Sequence, residues 1–344
     1  MLRFALLLTV SLVPALAATA EEKLSRYEAS EMHMGQKFAL VLYATSDEAA
    51  EKASRKLFDR IRDLDRTLTD YNPDSELSRL CDTARPGTPV PVSEDLYQVL
   101  AASVKASQET DGLFDVTVGP VIQLWRNARR TKKLPTPEAI AEARSRVGYQ
   151  HILLRAEPRS VELTAEKVRI DVGGIGVGWA LDDVGRELAR EGITRFLIDG
   201  SGDILCGDPP PDRPAWRIQV QPLLENGEQP VVLSIKNCAV TTSGDAYRFV
   251  EFGGVRYSHI VDPRTGMGLT ERASVTVIAR TAVVADSYAK AVNVLGPEKG
   301  IDFIDRHDGL ACSFVVLRDG APKRVVSKQF AVYTEGGDAN RPVQ

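Results

Sequence analysis

The sequence lacks a surplus of positive charge, a paired-cysteine motif and, past its first residues, any long apolar run, and each absence removes a class of function. With a formal net charge of -4 at pH 7 and a pI near 5.8, the chain offers no basic footprint for a nucleic-acid backbone. Small molecules and proteins remain as partners. Its four cysteines, Cys81, Cys206, Cys238 and Cys312, lie far apart with no C-x-x-C pair, which removes the usual zinc spacings. Cys206 and Cys312 stand in apolar, strand-like runs and read as buried free thiols, although an oxidising compartment permits disulfides.

The early apolar run extends from Phe4 to Leu16, behind Arg3 and beside the small residues Ala15-Leu16-Ala17 and Ala18-Thr19-Ala20. That is the layout of a signal peptide over residues 1–20, and it is too short for a permanent membrane span. Export to the periplasm or another extracytoplasmic space is expected, without a lipid anchor, because no cysteine follows the run at once. Roughly 320 residues remain, enough for one large domain or for two closely joined halves at about 30–165 and 166–335. No low-complexity tract divides them.

What is present is organised around Val168-Arg169-Ile170-Asp171-Val172-Gly173-Gly174-Ile175-Gly176-Val177-Gly178-Trp179. The β-branched run ending in Asp171 reads as a buried strand, and Leu181, Val184 and Leu188 then repeat at helical spacing. Glycines let a backbone approach a ligand closely, and a helix start adds partial positive charge, so phosphate is the natural guest. The dinucleotide fingerprint G-x-G-x-x-G asks for glycine where Trp179 stands, and a purely structural strand-to-helix loop is the bland alternative. Phe196-Leu197-Ile198-Asp199 reads as the next strand, and a right-handed crossover would set it parallel to the first.

Elsewhere, Phe38–Ala44 reads as a strand, and Leu57, Ile61, Leu64 and Leu68 mark one face of a helix. Ser93 can cap a helix from Glu94 to about Thr110, with Gly112 to end it, and Thr136-Pro137 opens another reaching Val147. From Trp216 onward strands dominate, at Ile218–Gln221, Val231–Ile235, Phe249–Ser258 with a Gly253-Gly254 turn, and Ser274–Ala279. Two helices interrupt them, at about Val283–Leu295 and Glu298–Asp305, before a closing hairpin around Arg318-Asp319-Gly320. The fold class expected is α+β, or mixed α/β.

The segments richest in reactive groups are Thr241-Thr242-Ser243-Gly244-Asp245-Ala246-Tyr247-Arg248 and Tyr257-Ser258-His259-Ile260-Val261-Asp262-Pro263-Arg264-Thr265-Gly266. His259 stands beside an acidic turn, where an imidazole can move a proton near neutral pH. Asp262 could hold a metal or orient that histidine, while an Asp-Pro turn capped by its own side chains explains it structurally.

At these residues the chain resembles the ApbE family, the FAD:protein FMN transferases, in collinear order from about Met34 to Leu295. The resemblance is carried by Met34-Gly35, by Tyr71 with Ser75-Glu76-Leu77-Ser78, by Gly112-Leu113-Phe114-Asp115 with Thr117-Val118-Gly119-Pro120, by Asp171 to Ala180, by Thr242 to Asp245 and, most specifically, by Ser258 to Gly266. It implies a single large T-fold-related domain of mixed sheets and surrounding helices. It also implies an exported enzyme that binds FAD with magnesium, cleaves its diphosphate, and joins FMN to a threonine of a partner flavoprotein within an Asp-Gly-x-x-Ser-Gly-Ala-Thr-like motif. His259 then resembles the base, with Asp262 beside it. Met34, Tyr71, Leu113, Phe114, Asp115, Asp171, Ser243, Gly244, Asp245 and Ile260 fall at flavin-nucleotide positions, and Gly174 and Asp286 at metal positions.

Two departures fall inside this pattern. Val177 replaces the lysine of the family's glycine loop, and Lys290 replaces a metal-binding threonine four residues beyond Asp286. An acid and a lysine at that spacing face each other on a helix, as a solvated pair or as an ammonium standing at the magnesium position. The departures keep two further readings open: an FAD-binding protein that transfers nothing, and a pyrophosphatase that splits FAD to FMN and AMP.

Overall fold

The computed structural model describes residues 23–224, 230–244 and 249–335, so the leader lies outside the described residues. Its centre is an eight-stranded sheet of β1 (Ser25–His33), β2 (Gln36–Ala44), β3 (Phe196–Gly200), β4 (Asp203–Cys206), β5 (Cys238–Gly244), β6 (Ala273–Ala279), β7 (Ala311–Arg318) and β8 (Ala321–Val326). Each strand pairs antiparallel with the next, so spatial order follows chain order and the helices are inserted between neighbours. Alternation makes the sheet one-sided where it matters: Phe38, Leu40, Leu42 and Ala44 of β2 are buried at period two.

Helices α1 (Asp47–Leu68), α2 (Glu76–Thr83), α3 (Glu94–Glu109), α4 (Gly119–Thr131), α5 (Pro137–Arg144), α6 (Gly176–Arg190), α7 (Ala282–Leu295) and α8 (Pro297–Ile304) supply the other layers. Parts of α1, α6, α7 and α8 cover one face of the sheet in the largest core. On the other face, Trp216, Ile218, Leu233 and Ile235 of a two-stranded hairpin pack with Cys206, Cys238 and Phe330. A second core joins the far end of α1 to α2, α3 and residues 168–175, and a smaller one joins α4 and α5 to the Phe249–Ser258 hairpin.

The local signals hold. Ser93 accepts from the Leu96 N–H and Thr136 from the Ala139 N–H, each capping the helix expected there, although α5 stops three residues before Val147. Two central expectations do not. Residues 168–172 form no strand: among the described residues they make one isolated bridge, Arg169 with Val118. Val168, Ile170 and Val172 are buried in the second core, away from the main sheet, so burial alone explains the apolar run. The parallel crossover fails with it, because the neighbours of β3 are β2 and β4, both antiparallel. Strands β1 and β5 carry no clear strand signal, the first because its side chains are mostly exposed, the second because its polar end resembles a loop.

Candidate active site

One cleft of about 520 Å³ gathers most of the marked segments, a volume within the roughly 300–1,000 Å³ of small-molecule sites. Its walls include Asp171, Gly173, Gly174 and Val177 of the glycine turn, Leu113, Phe114 and Asp115 before α4, Ser243 and Gly244 ending β5, and His259 and Ile260. The turn is closed by its own backbone. Ile175 and Gly176 donate N–H groups to the Val172 carbonyl at 3.0 and 2.7 Å, and Gly173 donates to Asp171 Oδ1 at 2.8 Å. Helix α6 then begins with no side-chain cap, leaving the partial positive charge of its first turn beside the wall formed by Gly174 and Val177.

The contact between α6 and α7 sets the rest of this wall. A Cβ on Gly178 would lie 2.4 Å from the Ala282 carbonyl oxygen, so only glycine permits the approach. Asp182 of α6 accepts the Ala282 and Val283 N–H groups at 2.8 and 2.9 Å, capping α7 from its neighbour. One and two turns further along α7, Asp286 and Lys290 are thereby carried to the glycine turn. Lys290 Nζ donates to Asp286 Oδ1 at 2.5 Å, and the Gly178 N–H donates to Asp286 Oδ2 at 3.3 Å.

Several carboxylates here hold structure. Asp115 Oδ1 accepts the Thr117 N–H and hydroxyl at 2.8 and 2.6 Å, and Oδ2 accepts the Tyr149 N–H at 2.8 Å. Burial still pushes its acid upward. Asp171 Oδ2 accepts from Arg126 at 2.9 Å, and Arg126 also pairs with Asp70. Burial, then repulsion from Asp70, raises the acid of Asp171 to about 6 against the pull of Arg126. Asp203, also on the wall, is pushed up to about 7 by burial and then by Asp286, with Lys290 opposing.

His259 reaches the cleft from a short loop that its flanks hold firmly. Ser258 donates its N–H to Leu269 O at 2.7 Å and accepts the Ile260 N–H on Oγ at 3.1 Å, while Leu269 donates to Ile260 O at 2.9 Å. Asp262 is off the wall. Its carboxylate accepts the Arg264 N–H, Nε and Nη2 at 2.8, 3.0 and 2.8 Å, which is the turn-capping arrangement. The turn is docked on α4 by Trp125, whose indole donates to Gly266 O at 2.9 Å.

A family model described as the ApbE family matches residues 34–314. The chain belongs to the ApbE family. Among curated relatives, the FAD:protein FMN transferase of Haemophilus influenzae is 30% identical over 293 residues, covering 83% of this chain and 84% of that one. The Klebsiella pneumoniae protein of the same name is 31% identical over 310 residues, 88% of each. Among solved structures, the apo flavinyl transferase ApbE of Pseudomonas stutzeri has a TM-score of 0.81 at 27% identity, covering 90% of this chain and 97% of that one. The flavin transferase ApbE of Vibrio cholerae also has a TM-score of 0.81, at 25% identity and covering 90% and 100%.

Some residues marked by the resemblance do not line this cleft of the ApbE-family chain. Met34, half-buried at φ 51°, donates its N–H to Asp65 Oδ2 at 2.8 Å, and Tyr71 is 63% exposed with its hydroxyl against the Gly35 turn. Both are off the wall, where the adjacent Gln36 stands instead, its amide nitrogen without a partner among the described residues. Asp245 lies outside the described residues. The donor set does not fit a resident magnesium ion. Both oxygens of Asp286 already accept N–H groups, and among the described residues no three His, Cys, Asp or Glu side chains are gathered to hold a metal. Arg126 and Arg129 also stand on the wall, unmarked by any motif; their one signal in the sequence is a helical spacing from Ile122.

Proposed function

We propose that this ApbE-family enzyme transfers FMN from FAD to a threonine hydroxyl of a partner flavoprotein. The observation carrying this reading is that the glycine turn at Asp171–Gly174 and the imidazole-bearing loop at His259 line one cleft, though they are far apart in sequence. The diphosphate lies along the turn, where the partial positive charge at the start of α6 meets it. Leu113, Phe114 and Ile260 give the apolar surface for the flavin. The threonine oxygen bonds to the flavin-side phosphorus, the bridging P–O bond breaks, and AMP leaves with the electron pair. His259 takes the hydroxyl proton. Asp262 fixes the turn that presents it.

The proposed setting is outside the cytoplasm, supported by Arg3 and the Phe4–Leu16 run. The acceptor is a flavoprotein with the threonine of an Asp-Gly-x-x-Ser-Gly-Ala-Thr-like segment. Val177 and Lys290, which replace the family lysine and threonine, favour a second reading in which the protein holds FAD without transferring it. Incubation with FAD and such an acceptor decides between them. Transfer gives a fluorescent acceptor band and one AMP per flavin attached, hydrolysis gives AMP and free FMN without the band, and a binder releases only intact FAD. In the transfer case, His259→Ala slows labelling about 10²–10⁴-fold while FAD affinity stays within a few-fold. Equal labelling by this variant would remove the histidine from the chemistry.

A further inference from the structure

One cation on this wall, Lys290, stands at the corner between α7 and the glycine turn. Lys290 leaves α7 with its side chain about a quarter exposed at 23%, while its partner Asp286 is 1% exposed. Its stem lies on the glycine turn: a Cβ at Gly174 would sit 3.3 Å from Lys290 Cγ and 3.5 Å from Cε. The ammonium is therefore brought between the turn and the Asp286 carboxylate, the two groups that the family pattern assigns to a metal. Each oxygen of Asp286 already accepts one hydrogen bond, the shorter from the Lys290 ammonium. A divalent ion entering here would have to displace a part-buried charge-assisted hydrogen bond and then share its ligand with an ammonium, both of which disfavour it. Arg126 and Arg129 are further cations of the cleft, Arg126 paired with Asp70 and Asp171 as Lys290 is with Asp286.

We propose that this chain binds the diphosphate of its dinucleotide without a divalent cation, the Lys290 ammonium supplying the positive charge at that position. The inference rests on the flavin reading above and adds what meets the diphosphate. A lysine brings one point charge with rotatable donors, enough to hold a phosphate oxygen without any coordination sphere.

The test is FAD affinity of the purified, flavin-stripped protein, measured by flavin fluorescence with EDTA and with millimolar MgCl2. Wild type is expected to bind equally well, within about twofold, in both conditions. Lys290→Thr is expected to lose about tenfold or more in EDTA and to recover when magnesium is added, because the carboxylate is then released for a metal. A tenfold loss for wild type on chelation overturns the inference and leaves the flavin reading intact. Wild-type affinity for Lys290→Thr in EDTA overturns it equally. If wild type binds no FAD in either condition, the flavin reading falls and this inference falls with it.

Discussion

At the scale of single residues, Asp203 shows what the cleft costs the fold. Its acid moves from an ordinary value near 3.8 to about 7 in the folded chain, raised by burial and then by Asp286. A carboxyl raised in this way contributes stability that is fully present below the unfolded value and lost as pH climbs through the folded one. Asp203→Asn, which cannot ionise, should therefore be more stable than wild type at pH 8, by on the order of 4 kcal/mol, and the gap should narrow steadily towards pH 5. Calorimetry at both pH values checks this; a constant gap would assign the effect to packing. At this scale the sequence is legible where chemistry is tied to an unusual local string, as at His259 within Ser258 to Gly266. It is silent about Arg126, whose importance depends on Asp70 and Asp171 arriving from two other segments.

At the scale of elements, the crossing of α6 and α7 decides the geometry of the cation corner. The Gly178 Cα hydrogen faces the Ala282 carbonyl where no Cβ fits. Gly178→Ala must push the helices apart, at a cost of about 2 kcal/mol or more, and carry Lys290 away from the turn. Both a lower melting temperature and weaker FAD binding are expected, read on the same sample by thermal unfolding and flavin fluorescence. Loss of stability alone would mean that the second helix keeps its place. The caps at Ser93 and Thr136 were legible because they involve residues three apart in sequence. Asp182 capping α7 was not, because donor and acceptor are separated by 100 residues.

At the scale of the whole molecule, the cleft lies where three packed cores meet. Val177 belongs to the edge of the sheet-and-helix core, Leu113 and Phe114 to the second, and Val118, Ile122 and Val261 to the third that carries the His259 turn. A ligand touching all three links them, so saturating FAD at about 100 times its dissociation constant should add about 2.7 kcal/mol to stability. For a chain of this size that is roughly 5 °C in melting temperature, seen as one shifted transition by calorimetry. A shift confined to one of two separate transitions would place the ligand within a single core.

The sequence by itself determined the mixed architecture, most helices, the caps at Ser93 and Thr136, and the strings that mark the glycine turn and the histidine loop, since each depends on neighbours within a turn or a strand repeat. Only the tertiary structure decided that residues 168–172 are a buried segment instead of a strand and that Lys290 lies against Gly174. The physical reason is common to both. Burial, charge pairing and close approach are settled between segments distant in the chain, and an apolar run or an acid has the same local pattern whichever partner it meets.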